Sequence, residues 1–273
     1  MIKNLSLLIL SGISISLSFY PFKFSGILAW IGFVPFFFAI NRKSKKKAFF
    51  LGYLVGVIFW GITIYWLIHV TLIGTVTLIL YLALYFGIFG FIFSLTYYLS
   101  SGYSLLFIPA VWVLGEYLRS YLFTGFSWAL LGYSQYKNLS LIQLSDIGGT
   151  WLVSFVVMLI NISLYYLVQK TPSLLSKVKY TLFILLVIGI VLLYGNYRLF
   201  SVSIKANIDS VPLRVSVIQG NISQKLKWQK ESKDFIMERY FRLTRSSLED
   251  NPDLIIWPEA SLPVVKEEEP LYY

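Results

Sequence analysis

The sequence predicts a polytopic α-helical membrane protein of about seven transmembrane helices, followed by the beginning of an exported, layered α-β domain. Three observations carry this prediction. Of 273 residues, 57% are hydrophobic and 13% are charged, with a mean hydropathy of +0.71; a soluble domain carries roughly 25% charged residues. Aromatic residues make up 18% (22 Phe, 20 Tyr, 8 Trp), a share that suits a chain with several bilayer-interface belts. The charge is also uneven. Residues 1–200 hold 13 Lys/Arg against two acids, Glu116 and Asp146, whereas residues 201–273 hold 10 against 11. Two solvents are implied, and with them two domains: 1–200 in the membrane and 201–273 in water.

In chain order, residues 4–20 form a first apolar segment behind Lys3. One basic residue, many serines and no A-x-A site argue for a retained helix over a cleaved leader. Gly26–Ile40 is a second, short segment holding Trp30 and Pro35, expected to be tilted or kinked. Arg42-Lys43-Ser44-Lys45-Lys46-Lys47 places five basic residues in six positions, a cytoplasmic loop under the positive-inside rule. Ala48–Val70 and Gly74–Leu99 are long enough to span. Ser104–Leu118 is a fifth span, and Glu116 and Arg119 at its end stand i, i+3 on a helix, where they can pair. Ionisable residues in a membrane segment are costly and mark candidate sites; the alternative is an interfacial ion pair.

Residues 119–147 make the longest connection of the membrane half. It is rich in glycine and aromatics, including Trp128, and suits a re-entrant or interface-lying loop. Gly148–Gln169 and Tyr180–Tyr197 are the sixth and seventh spans, with Lys170, Lys177 and Lys179 between them. With Lys3 inside, seven spans put both basic loops in the cytoplasm. The loop 119–147 and everything after 198 are then exported.

The basicity thus belongs to membrane loops and gives no support for nucleic-acid binding. With no cysteine and one histidine, disulfides, thiolate zinc and His-cluster metal sites are excluded, and no cofactor is implied.

Past a connector, Arg198–Ser210, the periodicity changes. Pro212–Gln219 alternates like a strand, Lys230–Leu248 has helical spacing, and Leu254–Trp257 reads as a second strand. Strand, helix and strand with a crossover make a βαβ unit. Pro258 lacks an N–H and ends the second strand, which puts Glu259 at its carboxyl end, where layered α-β folds place catalytic groups. A carboxylate at an apolar strand tip is expected to be partly desolvated and suited to general-base work. The alternative is a solvated loop glutamate. Only 62 residues follow Val211, so the chain is expected to stop inside this domain.

The segment Leu254-Ile255-Ile256-Trp257-Pro258-Glu259-Ala260-Ser261-Leu262-Pro263 resembles the first signature of the nitrilase superfamily, whose Glu-Lys-Cys triad begins in such a W-P-E sequence. Further motifs narrow the resemblance. They are Leu28-Ala29-Trp30-Ile31-Gly32-Phe33-Val34-Pro35, Gly52-Tyr53-Leu54-Val55-Gly56, and Glu116-Tyr117-Leu118-Arg119 leading to Phe123-Thr124-Gly125-Phe126-Ser127-Trp128 and Gly132-Tyr133-Ser134-Gln135. Gln219-Gly220-Asn221-Ile222, with Lys227-Trp228, completes the set. In this order they resemble the apolipoprotein N-acyltransferases of the bacterial inner membrane.

The resemblance implies transfer of a fatty acyl group from a phospholipid, through a Cys thioester, to the α-amine of a lipoprotein's N-terminal diacylglyceryl-cysteine. Glu259 matches the catalytic Glu. Trp228 matches a loop tryptophan of functional weight, or is a structural aromatic. Glu116, Arg119 and Trp128 fall in the stretch expected to line the lipid entrance. The family's Lys and Cys have no counterpart in these 273 residues, nor has its final span, so the chain alone is expected to be inactive. Two readings of another class remain: a non-enzymatic membrane protein whose exported tail binds a partner, and a transporter, which the scarcity of acids in the spans disfavours.

Overall fold

The computed structural model describes residues 2–96, 101–169, 173–209, 211–227, 229–259 and 261. They fall into two compact units, Met1–Ile204 and Lys205–Tyr273. The first is built of helices: α1 (Ile2–Leu17), α2 (Ile27–Ile31), α3 (Val34–Ile40), α4 (Lys45–Thr63), α5 (Leu72–Leu95), α6 (Ser101–Tyr121), α7 (Leu139–Ile142), α8 (Ser145–Val168) and all but the last turn of α9 (Leu174–Asp209). Four stretches are long and apolar enough to cross a membrane: Lys45–Thr63, Leu72–Leu95, Ser145–Val168 and Leu174–Ser203.

The core of this unit is aromatic. Phe33, Phe36 and Phe37 from the α2–α3 segment meet Phe86, Phe89 and Phe93 of α5, with Trp112 of α6 edge-on to Phe33 at 4.7 Å. Such edge contacts align the positive ring rim with a neighbouring π face. Around this core α4 and α5 pack along a seam of small residues. A Cβ on Gly56 would stand 2.8 Å from Ala83 Cα, and one on Gly90 would stand 2.5 Å from the Ala48 carbonyl. Between apolar helices in lipid, such close backbone approach replaces the hydrophobic drive as the source of association.

The second predicted segment is broken, and the cause is a side chain from α8. Asn161 is fully buried; its Nδ2 donates to Ala29 O at 2.7 Å and its Oδ1 accepts from Phe33 N at 2.9 Å. These two backbone groups are i, i+4 partners, so the amide is wedged into the helical ladder and bridges the bond it displaces. Ser11 Oγ donates to Gly32 O in the same gap, at 2.5 Å. Backbone released within an apolar bundle is thereby satisfied by neighbouring helices.

Other boundaries also depart from the sequence reading. The third segment is α-helical over Lys45–Thr63 and then tightens into a 3₁₀ turn, Tyr65–His69. Helix α8 starts at Ser145 but breaks at Gly148 and Gly149, the latter at φ +62°, a conformation open to glycine. Helix α9 begins at Leu174, with Ser173 Oγ accepting from Ser176 N at 3.2 Å, and runs through the expected connector to Asp209. Residues 198–209 contain no Gly or Pro to stop it.

In the second unit, β1 (Val215–Val217) pairs in parallel with β2 (Leu254–Ile256), Val215 opposite Leu254. Between them lie the short α10 (Gln224–Lys227) and the amphipathic α11 (Lys233–Ser247). The expected crossover is present, but β1 is shorter than Pro212–Gln219. Ile218, Ile236 and Tyr240 form the core beneath Ile255 and Trp257.

Candidate functional site

Glu116, Arg119 and Trp128 are brought together at the end of α6. The turn that follows the helix is closed by Phe126 N donating to Arg119 O at 2.8 Å, with Gly125 at φ +71°. A Cβ on Gly125 would strike the Ser120 carbonyl, so glycine is required there. The loop 119–147 then continues through a 3₁₀ turn, Leu131–Gln135, and α7; Leu130, Leu131, Gly132, Ser134 and Gln135 are buried, while Tyr133 is exposed.

Glu116 and Arg119, which the sequence spacing allows to pair, take other partners; an ion pair does join Asp146 to Arg198, at 2.6 Å. Each charge is instead met by the returning loop. Arg119 Nη1 donates to the carbonyls of Phe126 and Trp128, both at 2.8 Å, and the guanidinium lies 4.8 Å from the Trp60 ring centroid. Glu116 Oε1 accepts from Leu131 N at 2.6 Å and from Trp112 Nε1 at 3.0 Å. Backbone polar groups of a loop entering the bundle need partners, and these two side chains supply them. Glu116 and Arg119 are 3% and 4% exposed.

Above this knot, Trp128 stacks on Trp66 at 5.3 Å and is half exposed. Beside it lies a cavity of about 320 Å³ between α4, α5 and α6, lined by Tyr81, Tyr85, Phe89, Trp112, Glu116 and Arg119 among others. Its wall is almost wholly apolar. Glu116 and Trp60 are among its lining residues; their Oε2 and Nε1 atoms are buried away from its surface without a hydrogen-bond partner in the protein, although Ser154 interacts with the same carboxylate. A concave, mostly apolar pocket lined by a few polar side chains suits an apolar chain. Sequence reasoning missed Trp60 and Ser154; a serine within an apolar span was the available signal for the latter.

Glu259 stands in the other unit. It follows β2 as expected, but its side chain is exposed, not partly desolvated: among the described residues β2 is covered by α11 and β1, and neither reaches past the strand end. What is fixed is the residue two before it. Trp257 stacks on Tyr240 at 5.1 Å and donates from Nε1 to Thr244 Oγ1 at 2.9 Å, which anchors the approach to Pro258-Glu259 on α11. Gly220, after β1, lies so close to the Tyr240 ring that a Cβ would stand 2.6 Å from it. Trp228 lies outside the described residues.

The family model for the apolipoprotein N-acyltransferase N-terminal domain matches residues 11–163, more than half of the chain. Among curated relatives, the apolipoprotein N-acyltransferase of Geobacter metallireducens is 35% identical, covering 97% of this chain and 52% of its own length. Those of Pasteurella multocida and Coxiella burnetii are each 30% identical, over 94% and 97% of this chain and 50% and 55% of their own. The chain therefore spans about half the length of the curated relatives it matches. The matched stretch contains the Asn161 wedge, the glycine seam and the Glu116–Arg119 knot, in a bundle with four membrane-length helices. This membrane protein belongs to the apolipoprotein N-acyltransferase family.

Proposed function

We propose that the protein N-acylates bacterial lipoproteins. A cysteine thiolate attacks the sn-1 ester carbonyl of a phospholipid, the tetrahedral adduct expels the lysophospholipid alkoxide, which takes up a proton, and an acyl-thioester remains. The α-amine of a diacylglyceryl-cysteine then attacks the thioester, loses its proton and releases the thiol. Glu259 is the base that accepts the proton in each half-reaction, and a lysine stabilises the oxyanion. The sequence holds no cysteine, and this reading places the thiol and the lysine outside residues 1–273.

The observation that carries the reading is the family membership together with the apolar cavity that Trp60 and Glu116 help to line. An acyl donor needs such a place beside the bilayer; in this reading Glu116, Arg119 and Trp128 serve substrate binding in the helical unit, and Trp228 does so in its own unit. In this reading the chain lies in the cytoplasmic membrane with seven spans and its N-terminus inside; the basic loops 42–47 and 170–179 then face the cytoplasm, as the positive-inside rule expects, and the loop 119–147 and the residues after 198 lie outside, the latter as the start of a nitrilase-like domain.

The test is conversion of a diacylated to a triacylated lipopeptide by the native gene product in membranes. Glu259→Gln is expected to reduce the rate by at least the 10²–10⁴-fold typical of a general base. Full activity in that variant removes Glu259 from the mechanism.

A further inference from the structure

Elsewhere in the same helical unit, two lysines from distant loops line one cleft. The cleft has a volume of about 410 Å³ and is formed by residues 23–27 and 134–140 with Trp30; Lys23, Lys137, Gln135 and Asn138 give it its polar wall, and no carboxylate lines it. Lys137 Nζ donates to Pro21 O at 2.7 Å and to Phe22 O at 3.1 Å. Two of the three N–H donors of the ammonium are thus taken by carbonyls, and the same nitrogen stands 5.4 Å from the Tyr136 ring centroid. Lys23 holds its ammonium 5.4 Å from the Phe24 ring, and among the described residues neither lysine has an acidic partner. Asp146, in the same part of the fold, is taken by Tyr194 and Arg198, each at 2.6 Å.

Trp30 and Asn138 also line an apolar crevice of about 100 Å³ that is continued by Leu141, Val156, Ile188 and Val191 between α8 and α9. Trp30, common to both linings, donates from Nε1 to Gln135 Oε1 at 2.9 Å. A dicationic polar cleft thus neighbours a hydrocarbon-lined slot, and the pairing matches the two halves of a phospholipid.

We propose that this cleft binds an anionic phospholipid, its headgroup phosphate between Lys23 and Lys137 and one acyl chain in the slot between α8 and α9. A zwitterionic headgroup brings its own ammonium, which two unpaired lysines repel; an anionic one brings none. The site is separate from the cavity between α4, α5 and α6, and it stands whether or not that cavity takes an acyl donor.

The experiment is lipid retention by the purified chain, measured by native mass spectrometry after exchange into micelles of equal phosphatidylglycerol and phosphatidylcholine. At about fivefold for each lysine near a membrane surface, the wild type is expected to favour phosphatidylglycerol by roughly twentyfold. Lys23→Gln, at an exposed position, is expected to lower the preference about fivefold without changing the unfolding temperature. Lys23→Gln/Lys137→Gln is expected to abolish it, and Ile188→Trp, which fills the slot, to reduce retention of both lipids. An undiminished preference in Lys23→Gln overturns the proposal even where the double variant does not fold. Displacement of the lipid by equimolar soluble glycerol phosphate overturns it as well, because the site then recognises free phosphate and not a lipid.

Discussion

Replacing Asn161 by Leu tests the wedge that splits the second segment. The substitution keeps the volume and removes both hydrogen bonds to the α2–α3 break, leaving Phe33 N–H and Ala29 C=O without partners in a fully buried site. The third bond, to Val157 O, is dispensable, because that carbonyl sits within helix α8. At about 1–3 kcal/mol for each buried group left unsatisfied, the loss is about 2–6 kcal/mol. Interhelical hydrogen bonds measured in membranes average about 0.6 kcal/mol, which sets a floor near 1.2 kcal/mol for two. The larger figure is expected here: Gly32 packs against Ile15 and the Leu28 carbonyl, so the segment has little room to straighten and reclose its ladder. Unfolding in mixed micelles of increasing SDS fraction, followed by tryptophan fluorescence, measures the difference. A loss below about 1.2 kcal/mol refutes the reasoning, since the ladder then closes without the amide.

The same titration serves two further substitutions. Gly56→Val forces α4 from α5, where a Cβ already stands 2.8 Å from Ala83 Cα, and is expected to cost about 1–3 kcal/mol; Gly61→Ala, on the same helix with open space around it, is expected to cost little. Glu116→Gln preserves the acceptor for Leu131 N and Trp112 Nε1 and is expected to change stability by less than about 1 kcal/mol, whereas Glu116→Ala orphans both donors at about 1–3 kcal/mol each. Equal losses for Gln and Ala would show that the charge, and not the acceptor, holds the loop.

Much of the helical unit is legible in the sequence because hydropathy is a local property: segments at 45–63, 72–95 and 145–168 fall where apolar runs of spanning length occur. The βαβ unit is legible for the same reason, through alternation at Val215–Val217 and helical spacing from Phe235 to Leu243. What escapes is non-local. The i, i+3 spacing of Glu116 and Arg119 suggests a mutual pair, but the partners that win are backbone groups of a loop that returns several residues later. Asn161 reads as one polar residue diluted in an apolar helix, and nothing near it in sequence announces that its target is the backbone of residues 29–33. Glu259 is placed correctly along the strand, yet its exposure depends on what packs over the strand end, which strand periodicity does not encode.

The knot at the end of α6 bears on how the protein is made. A helix carrying a carboxylate and a guanidinium is released into lipid by the insertion machinery at a penalty on the order of 2.5–3.5 kcal/mol for each such group at mid-helix, and less towards the end, where these two sit. The groups that offset such a penalty here are the carbonyls of Phe126 and Trp128 and the amide of Leu131, all later in the chain than α6. The two side chains of α6 therefore find their partners only once the loop behind the helix has folded back onto it, so that loop and helix must form together.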